Sequence, residues 1–185
     1  MKKTAIAAVI LLCAALLTAC ASKGETLLPK ELPVELAFAS GMGAWTTELT
    51  LERDGSFRGE FHDLNMGDNG EGYPNGTVYI CSFSGQFSGI EKRDQNSYSM
   101  TLTELQSDYE RGKEWIEDGV RYVSSSPYGV EGGDEFILYL PDTPTDTLDE
   151  DFLSWRQCWS PDGEKPETLK LYGLHNVKMG CGFFG

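Results

Sequence analysis

Alternation of apolar and polar side chains dominates residues 45–62. In Trp45-Thr46-Thr47-Glu48-Leu49-Thr50-Leu51-Glu52 the odd positions are mostly apolar, and in Ser56-Phe57-Arg58-Gly59-Glu60-Phe61-His62 they are again the apolar ones. A period of two marks a strand with one buried face, so two strands are predicted here. Their register follows from the residues between them. A two-residue turn at Asp54-Gly55 would pair Glu52 with Phe57 and set the phenyl ring on the polar face, because one step of slip reverses every side chain. A three-residue loop Arg53-Asp54-Gly55 pairs Leu51 with Phe57 instead, and puts Gly55 at the left-handed position such loops favour.

The pattern continues along the chain. Val34 to Ala39 reads as an opening strand. Thr77 to Ile90 carries Tyr79, Cys81, Phe83 and Phe87 on one face and Val78 and Ile80 on the other, as a central strand does. Tyr98 to Thr103 alternates cleanly. Trp115-Ile116-Glu117 and Val120-Arg121-Tyr122-Val123 flank Asp118-Gly119, a hairpin signal. Glu135 to Leu140 is a nearly continuous apolar run stopped by Pro141, and Thr168 to Tyr172 and Cys181 to Phe184 resume strand pattern. One short helix is predicted near residues 147–156, from a capping box at Thr147-Leu148-Asp149-Glu150 and from Leu148, Phe152 and Trp155 at helical spacing. Its apolar stripe is expected to pack on the sheet.

Seven or more strands with one late helix predict a mainly β fold: an antiparallel meander forming a small barrel or a two-sheet sandwich. In a meander, successive connections fall at alternate ends. Arg53 to Gly55, Glu91 to Asn96 and Asp118-Gly119 are then expected at one end, and Asp63 to Gly76, Gln106 to Gly112 and Ser124 to Gly133 at the other. Long loops on a rigid scaffold are where binding usually sits. Gly43-Ala44-Trp45 at the head of a strand resembles the Gly-x-Trp signature of lipocalins, and the late helix followed by a strand is similar to that family. The resemblance implies a small barrel with Trp45 as a barrel-end packing residue.

The N-terminus changes the picture of where the chain works. Lys2-Lys3, the apolar run from Ile6 to Leu17 and then Leu17-Thr18-Ala19-Cys20 form a basic, apolar, small-residue series that reads as a secretory signal. The run is too short to span a bilayer. Leu17-Thr18-Ala19-Cys20 resembles the lipobox of bacterial lipoproteins, which implies cleavage before Cys20, lipidation of that residue and anchoring by several acyl chains on the extracytoplasmic face of the cell membrane. The mature part also resembles β-rich lipoproteins of Gram-positive bacteria. The expected organisation is a signal peptide at 1–19, a lipidated tether at 20–33 and one domain at 34–185. Residues 1–19 hold two of the 15 basic side chains and none of the 29 acidic ones, so removing them takes the net charge from −14 to −16. That balance excludes nucleic acid and other polyanions as partners. Of the five cysteines, Cys13 leaves with the signal and Cys20 takes the lipid. At most one disulfide then forms among Cys81, Cys158 and Cys181, and the facing of Cys81 into the core leaves Cys158 and Cys181 as the pair.

Catalytic patterns are few. The chain has two histidines and lacks Gly-x-Ser-x-Gly, His-Glu-x-x-His and a phosphate-binding glycine loop, so an enzyme is not expected. His62 beside Asp63 is expected as a solvated strand-end residue. Asp63, Asn65, Asp68, Asn69 and Glu71 offer oxygen ligands of the kind calcium takes, although Gly67-Asp68 reverses the order an EF-hand needs. Two function classes remain. One is a lipid-anchored binding module for a small ligand or an envelope partner, with Trp45, Tyr79, Phe83, Tyr98 and Met100 as inward pocket candidates. The alternative is an extracytoplasmic hydrolase or accessory envelope enzyme using rim carboxylates. Binding is expected at the long-loop end, where the 63–71 acids would meet Asp108, Glu131 and Asp134. A filled interior would favour a protein partner, and a cavity with convergent polar groups a ligand.

Overall fold

The computed structural model describes residues 27–41, 43–156 and 166–185. Ten strands follow in chain order: β1 (Val34–Ala39), β2 (Trp45–Leu51), β3 (Ser56–Asn65), β4 (Thr77–Lys92), β5 (Ser97–Ser107), β6 (Glu114–Glu117), β7 (Val120–Ser124), β8 (Glu135–Tyr139), β9 (Gly173–Asn176) and β10 (Cys181–Phe184). A 3-10 turn (Thr145–Thr147) and one helix, α1 (Glu150–Arg156), lie between β8 and β9. Eight strands, all but β6 and β7, close into an antiparallel barrel in which β3 bonds to both β2 and β4. This is a small barrel of the lipocalin-like kind, not a sandwich.

The first hairpin has the expected register, with Leu51 opposite Phe57 and Gly55 at φ +84°. Alternation then puts Leu49, Leu51, Phe57 and Phe61 in the core. Two cross-strand pairs let β3 and β4 coil tightly. Gly59 faces Phe83 and Gly85 faces Phe57, and a Cβ on either glycine would lie 2.5 Å or less from the partner ring. Each ring occupies the space its glycine leaves, which is how a sheet bends without opening a void. β4 is central, bonding to β3, β5 and β7.

Four sequence expectations are corrected. Thr168 to Tyr172 is not a strand beyond one bridge of Thr168 to Pro144, and the strand begins at Gly173. Glycine there reads as a strand breaker, yet the Phe152 ring would lie 2.7 Å from its Cβ, so only glycine fits. The helix starts two residues later than the capping box implies. Thr147 Oγ1 donates to Pro144 O inside the 3-10 turn, and Asp149 Oδ1 accepts from the N–H groups of Asp151 and Phe152 as the cap. The Asp118-Gly119 turn lies at the long-loop end, beside Asn75, because β7 runs parallel to β4 and takes no place in the meander. Part of the expected tether belongs to the domain. Leu28 and Leu32 are buried in the main core, and Leu28 exchanges hydrogen bonds with Arg53, its N–H donating to Arg53 O and Arg53 Nε donating to Leu28 O.

β8 to β10 have two buried faces. Phe136, Leu138, Leu174 and Phe183 point into the barrel, while Ile137, Tyr139 and Phe184 point outward and are covered by α1 and Leu169. Phe152 lies flat over Gly173 and Gly182. This second layer explains the near-continuous apolar run in β8. Trp155 packs against both layers and donates from Nε1 to Gly180 O. Its ring meets Phe38 edge-on at 4.5 Å between centroids and lies 6.1 Å from Trp45.

Candidate functional site

The barrel interior is filled by its own side chains. Phe38, Phe57, Phe83, Phe87, Phe136 and Phe183 are all nearly or fully buried there; the rings of Phe83, Phe57, Phe87 and Phe136 follow one another in contact, and Phe38 packs on Phe183. Both ends are closed. Leu28 and Leu32 cover the short-turn end. Residues 125–134, expected as a rim loop, fold into the other mouth as a plug: Pro127, Gly129, Val130 and Gly133 are buried. Two fully buried polar side chains hold it. Thr47 Oγ1 donates to Tyr128 O at 2.8 Å, and Asn176 Nδ2 donates to Gly129 O at 2.9 Å. The Tyr128 ring completes an aromatic group with Phe38, Trp45 and Phe61.

The pocket candidates are therefore core residues. Phe83, Tyr98 and Met100 belong to the buried cluster, and Trp45 and Tyr79 pack against it half-buried. Trp45 sits at the barrel end, as its position in the lipocalin-like signature implies. The rim acids do not converge. Asp68 forms an ion pair with Arg121 Nη2, Glu131 accepts a hydrogen bond from Ser126, and Asp134 meets Lys178 Nζ at 3.1 Å. Asp108 lies on the barrel wall instead, its N–H bonded to Ser82 O. In the 63–71 loop, Asn65 Oδ1 accepts from the N–H groups of Gly67 and Asp68, and Asn69 Nδ2 donates to Met66 O. Among the described residues, no three His, Cys, Asp or Glu side chains are grouped to hold a metal. Cys20 and Cys158 lie outside the described residues, so the anchor and the Cys158–Cys181 pair do too. Cys81 is buried, its Sγ donating to Ser107 Oγ at 3.4 Å, and burial pushes its thiol pKa up.

What the barrel does offer is on its outside. A groove of about 710 Å³ runs over the outer wall of β1 to β4, lined among others by Glu35, Glu48, Arg58, Glu60, Ser82 and Asp108. These are the outward members of the alternation, so they were legible as polar but not as neighbours. A second exposed feature is the β6–β7 hairpin, which stands off the barrel. Trp115 stacks on Tyr122 with 5.3 Å between ring centroids and 13° between planes, and Tyr109 lies 5.5 Å from Trp115. His62 is exposed on the outer face of β3. Two acids in the short turns are held below the usual carboxylate range by serine hydrogen bonds, Asp54 by Ser56 and Asp94 by Ser97. That direction is opposite to what a general acid needs.

The fold defines a class, a closed eight-stranded lipocalin-like barrel with a packed interior and a protruding hairpin. No protein-family model, curated protein or solved structure matches the chain.

Proposed function

We propose that the chain is a lipid-anchored extracytoplasmic module that binds a protein partner on its outer surface. The observation that carries this reading is the filled, doubly closed barrel, which leaves an internal ligand no space and leaves the wall and the hairpin as the binding surfaces. The lipobox-like Leu17-Thr18-Ala19-Cys20 supplies the anchor in this reading. Six residues, seven chain steps, separate Cys20 from Leu27, a reach of at most about 25 Å. The end closed by Leu28 and Leu32 then faces the membrane, and the plug and hairpin face away from it.

Two measurements test the reading. Intact mass of the purified N-terminus should show a lipidated Cys20, and Cys20→Ala should leave the membrane fraction. Titration with a lipophilic fluorescent probe should give no saturable signal. Stoichiometric probe binding that slows amide exchange on β4 and β8 would return the function to the barrel interior.

A further inference from the structure

Every strand of the barrel bonds to neighbours on both sides, and β7 bonds to β4 and β6. Among the described residues β6 is the one strand with a single bonded neighbour. Its free edge has a definable chemistry. Arg121 N–H donates to Gly76 O and Ser125 N–H to Ile80 O, so alternate residues of β7 address β4, while Ser124 N–H donates to Lys113 O and addresses β6. Continuing that alternation, Trp115 and Glu117 bond to Tyr122 and Val120, and the N–H and C=O groups of Glu114 and Ile116 point off the edge. An uncovered edge of this kind is a template for another strand.

The side chains around the edge are apolar on both faces of the hairpin. Trp115, with Tyr122 and Tyr109, lies on one face. Ile116 lies on the other and is 55% exposed, near the loop that carries Met66 at 70%. The ends of the strand are acidic: Glu114, Glu117 and then Asp118. Of the nearby cations, Lys113 is held over the Tyr109 ring at 4.3 Å, and Arg121 is engaged by Asp68.

We propose that the free edge of β6 takes up an extended segment of a partner protein, added antiparallel to Glu114–Glu117, with basic side chains opposite Glu114 and Glu117 and apolar ones between them. Main-chain bonds to Glu114 and Ile116 supply the docking, and Trp115 and Ile116 grip the segment from the two faces. Charge selects the occupant. A second copy of this chain would bring the same acids, Glu114, Glu117 and Asp118, to the edge on a molecule of net charge −14, and like charges brought opposite one another are destabilising. Lysine or arginine at those places turns the same geometry favourable. This inference rests on the reading of the chain as a partner-binding module and names the surface that does it.

The test uses the full chain in detergent with a short acetylated peptide whose central residues are lysine-valine-valine-lysine, and a version with glutamate in place of lysine as its counterpart. The basic peptide should slow amide exchange at Glu114 and Ile116 and perturb Trp115, with affinity falling as salt rises, while the acidic peptide should bind at least tenfold more weakly. Ile116→Pro removes an N–H that bonds to nothing in the fold, so β6 and β7 should stay paired and binding should fall tenfold or more. Trp115→Ala should weaken it several-fold. Equal binding by Ile116→Pro, or by the acidic peptide, overturns the edge as the site. Dimerisation of the wild type that Ile116→Pro abolishes would make a second copy the occupant and overturn the charge argument. Failure of the wider reading looks different: a lipophilic probe would bind inside the barrel with the same affinity in wild type and Ile116→Pro.

Discussion

The molecule contains two hairpins announced by the same kind of local signal, and they have opposite fates. β2–β3 turns at Arg53-Asp54-Gly55 and β6–β7 at Asp118-Gly119, each with a glycine at positive φ. β2 and β3 are bonded on both outer flanks, and their odd residues build the core. β6 and β7 are bonded on one flank only, and Ser124 is their one buried residue. Turn chemistry sets the pairing of two adjacent strands. Whether the pair becomes wall or appendage depends on where β4 has bonding groups to spare, and β5 leaves the first part of β4 unpaired by ending opposite Phe83.

The largest expected difference between the two is in burial. Phe57→Ala removes a core ring that fills the space over Gly85 and should cost about 3–5 kcal/mol. Trp115→Ala removes a half-buried ring from an exposed stack and should cost about 1 kcal/mol. Urea unfolding of both variants measures this directly, and equal losses would mean that the second hairpin is part of the cooperative core.

The turn glycines give a smaller contrast. Gly55 has φ +84°, and a Cβ there would lie 2.5 Å from the main-chain oxygen of Phe87. Gly119 has φ +77°, but its nearest neighbour is the Asn75 side-chain nitrogen at 2.9 Å, which can swing away. Gly55→Ala should therefore destabilise by about 2 kcal/mol or more and Gly119→Ala by about 1 kcal/mol, since left-handed backbone alone costs an L-residue about 1–2 kcal/mol. A neutral Gly55→Ala would count against the loop type.

These contrasts also show what could be read from the residues. Period-two runs located most of the strands, and the facing of Leu51 and Phe57 selected one turn out of two. The stripe of Leu148, Phe152 and Trp155 found the helix. Connection parity failed at Asp118-Gly119, because it assumes that each strand pairs with the next, and β7 pairs parallel with β4. The plug was illegible for a related reason. Pro127, Tyr128 and Gly129 carry loop chemistry, and nothing local announces that Thr47 and Asn176, far away in sequence, hold the carbonyls of residues 128 and 129 inside the barrel. The outer groove has the same character, being made from polar positions that become neighbours only when the sheet coils.

Acid should act away from both hairpins, on the layer under α1. His175 on β9 is 4% exposed, has no hydrogen bond at either ring nitrogen among the described residues and packs beside the touching rings of Phe152 and Tyr139. Burial lowers its pKa, and the carboxylates of Asp149, Asp151 and Glu135 pull the other way without reversing the direction. The unfolded chain then binds a proton more readily than the fold. Stability contributed by the neutral ring is complete above the unfolded value of about 6.5 and is lost as pH falls from there through the lowered folded value. One proton limits the slope to about 1.4 kcal/mol per pH unit. His175→Leu should flatten this part of the stability profile, and Trp115→Ala should leave it unchanged. Superimposable pH profiles for wild type and His175→Leu would remove the imidazole from the account.

The smallest expected effect concerns what holds the second hairpin to the barrel. Arg121 reaches Asp68 in the 66–76 loop, stands 4.9 Å from the centre of the Tyr73 ring, and donates from Nε to Thr77 Oγ1 at 3.2 Å. The pair is partly exposed, 24% and 32% for the two side chains, so water screens it and Asp68→Ala should cost under about 1 kcal/mol, less in high salt. The local consequence should exceed the global one. Asn75 N–H donates to Gly119 O, and this bond between loop and hairpin should exchange faster in Asp68→Ala while the β2–β3 bonds do not change. The same carboxylate bears on calcium. Arg121 occupies Asp68, the central acid of the Asp63, Asn65, Asp68, Asn69 and Glu71 set, and a cation would have to displace it, so millimolar calcium should leave the thermal midpoint of the wild type unchanged. A rise in midpoint that disappears in Asp68→Ala would show that the ion wins that competition, and would make the hairpin's attachment calcium-dependent.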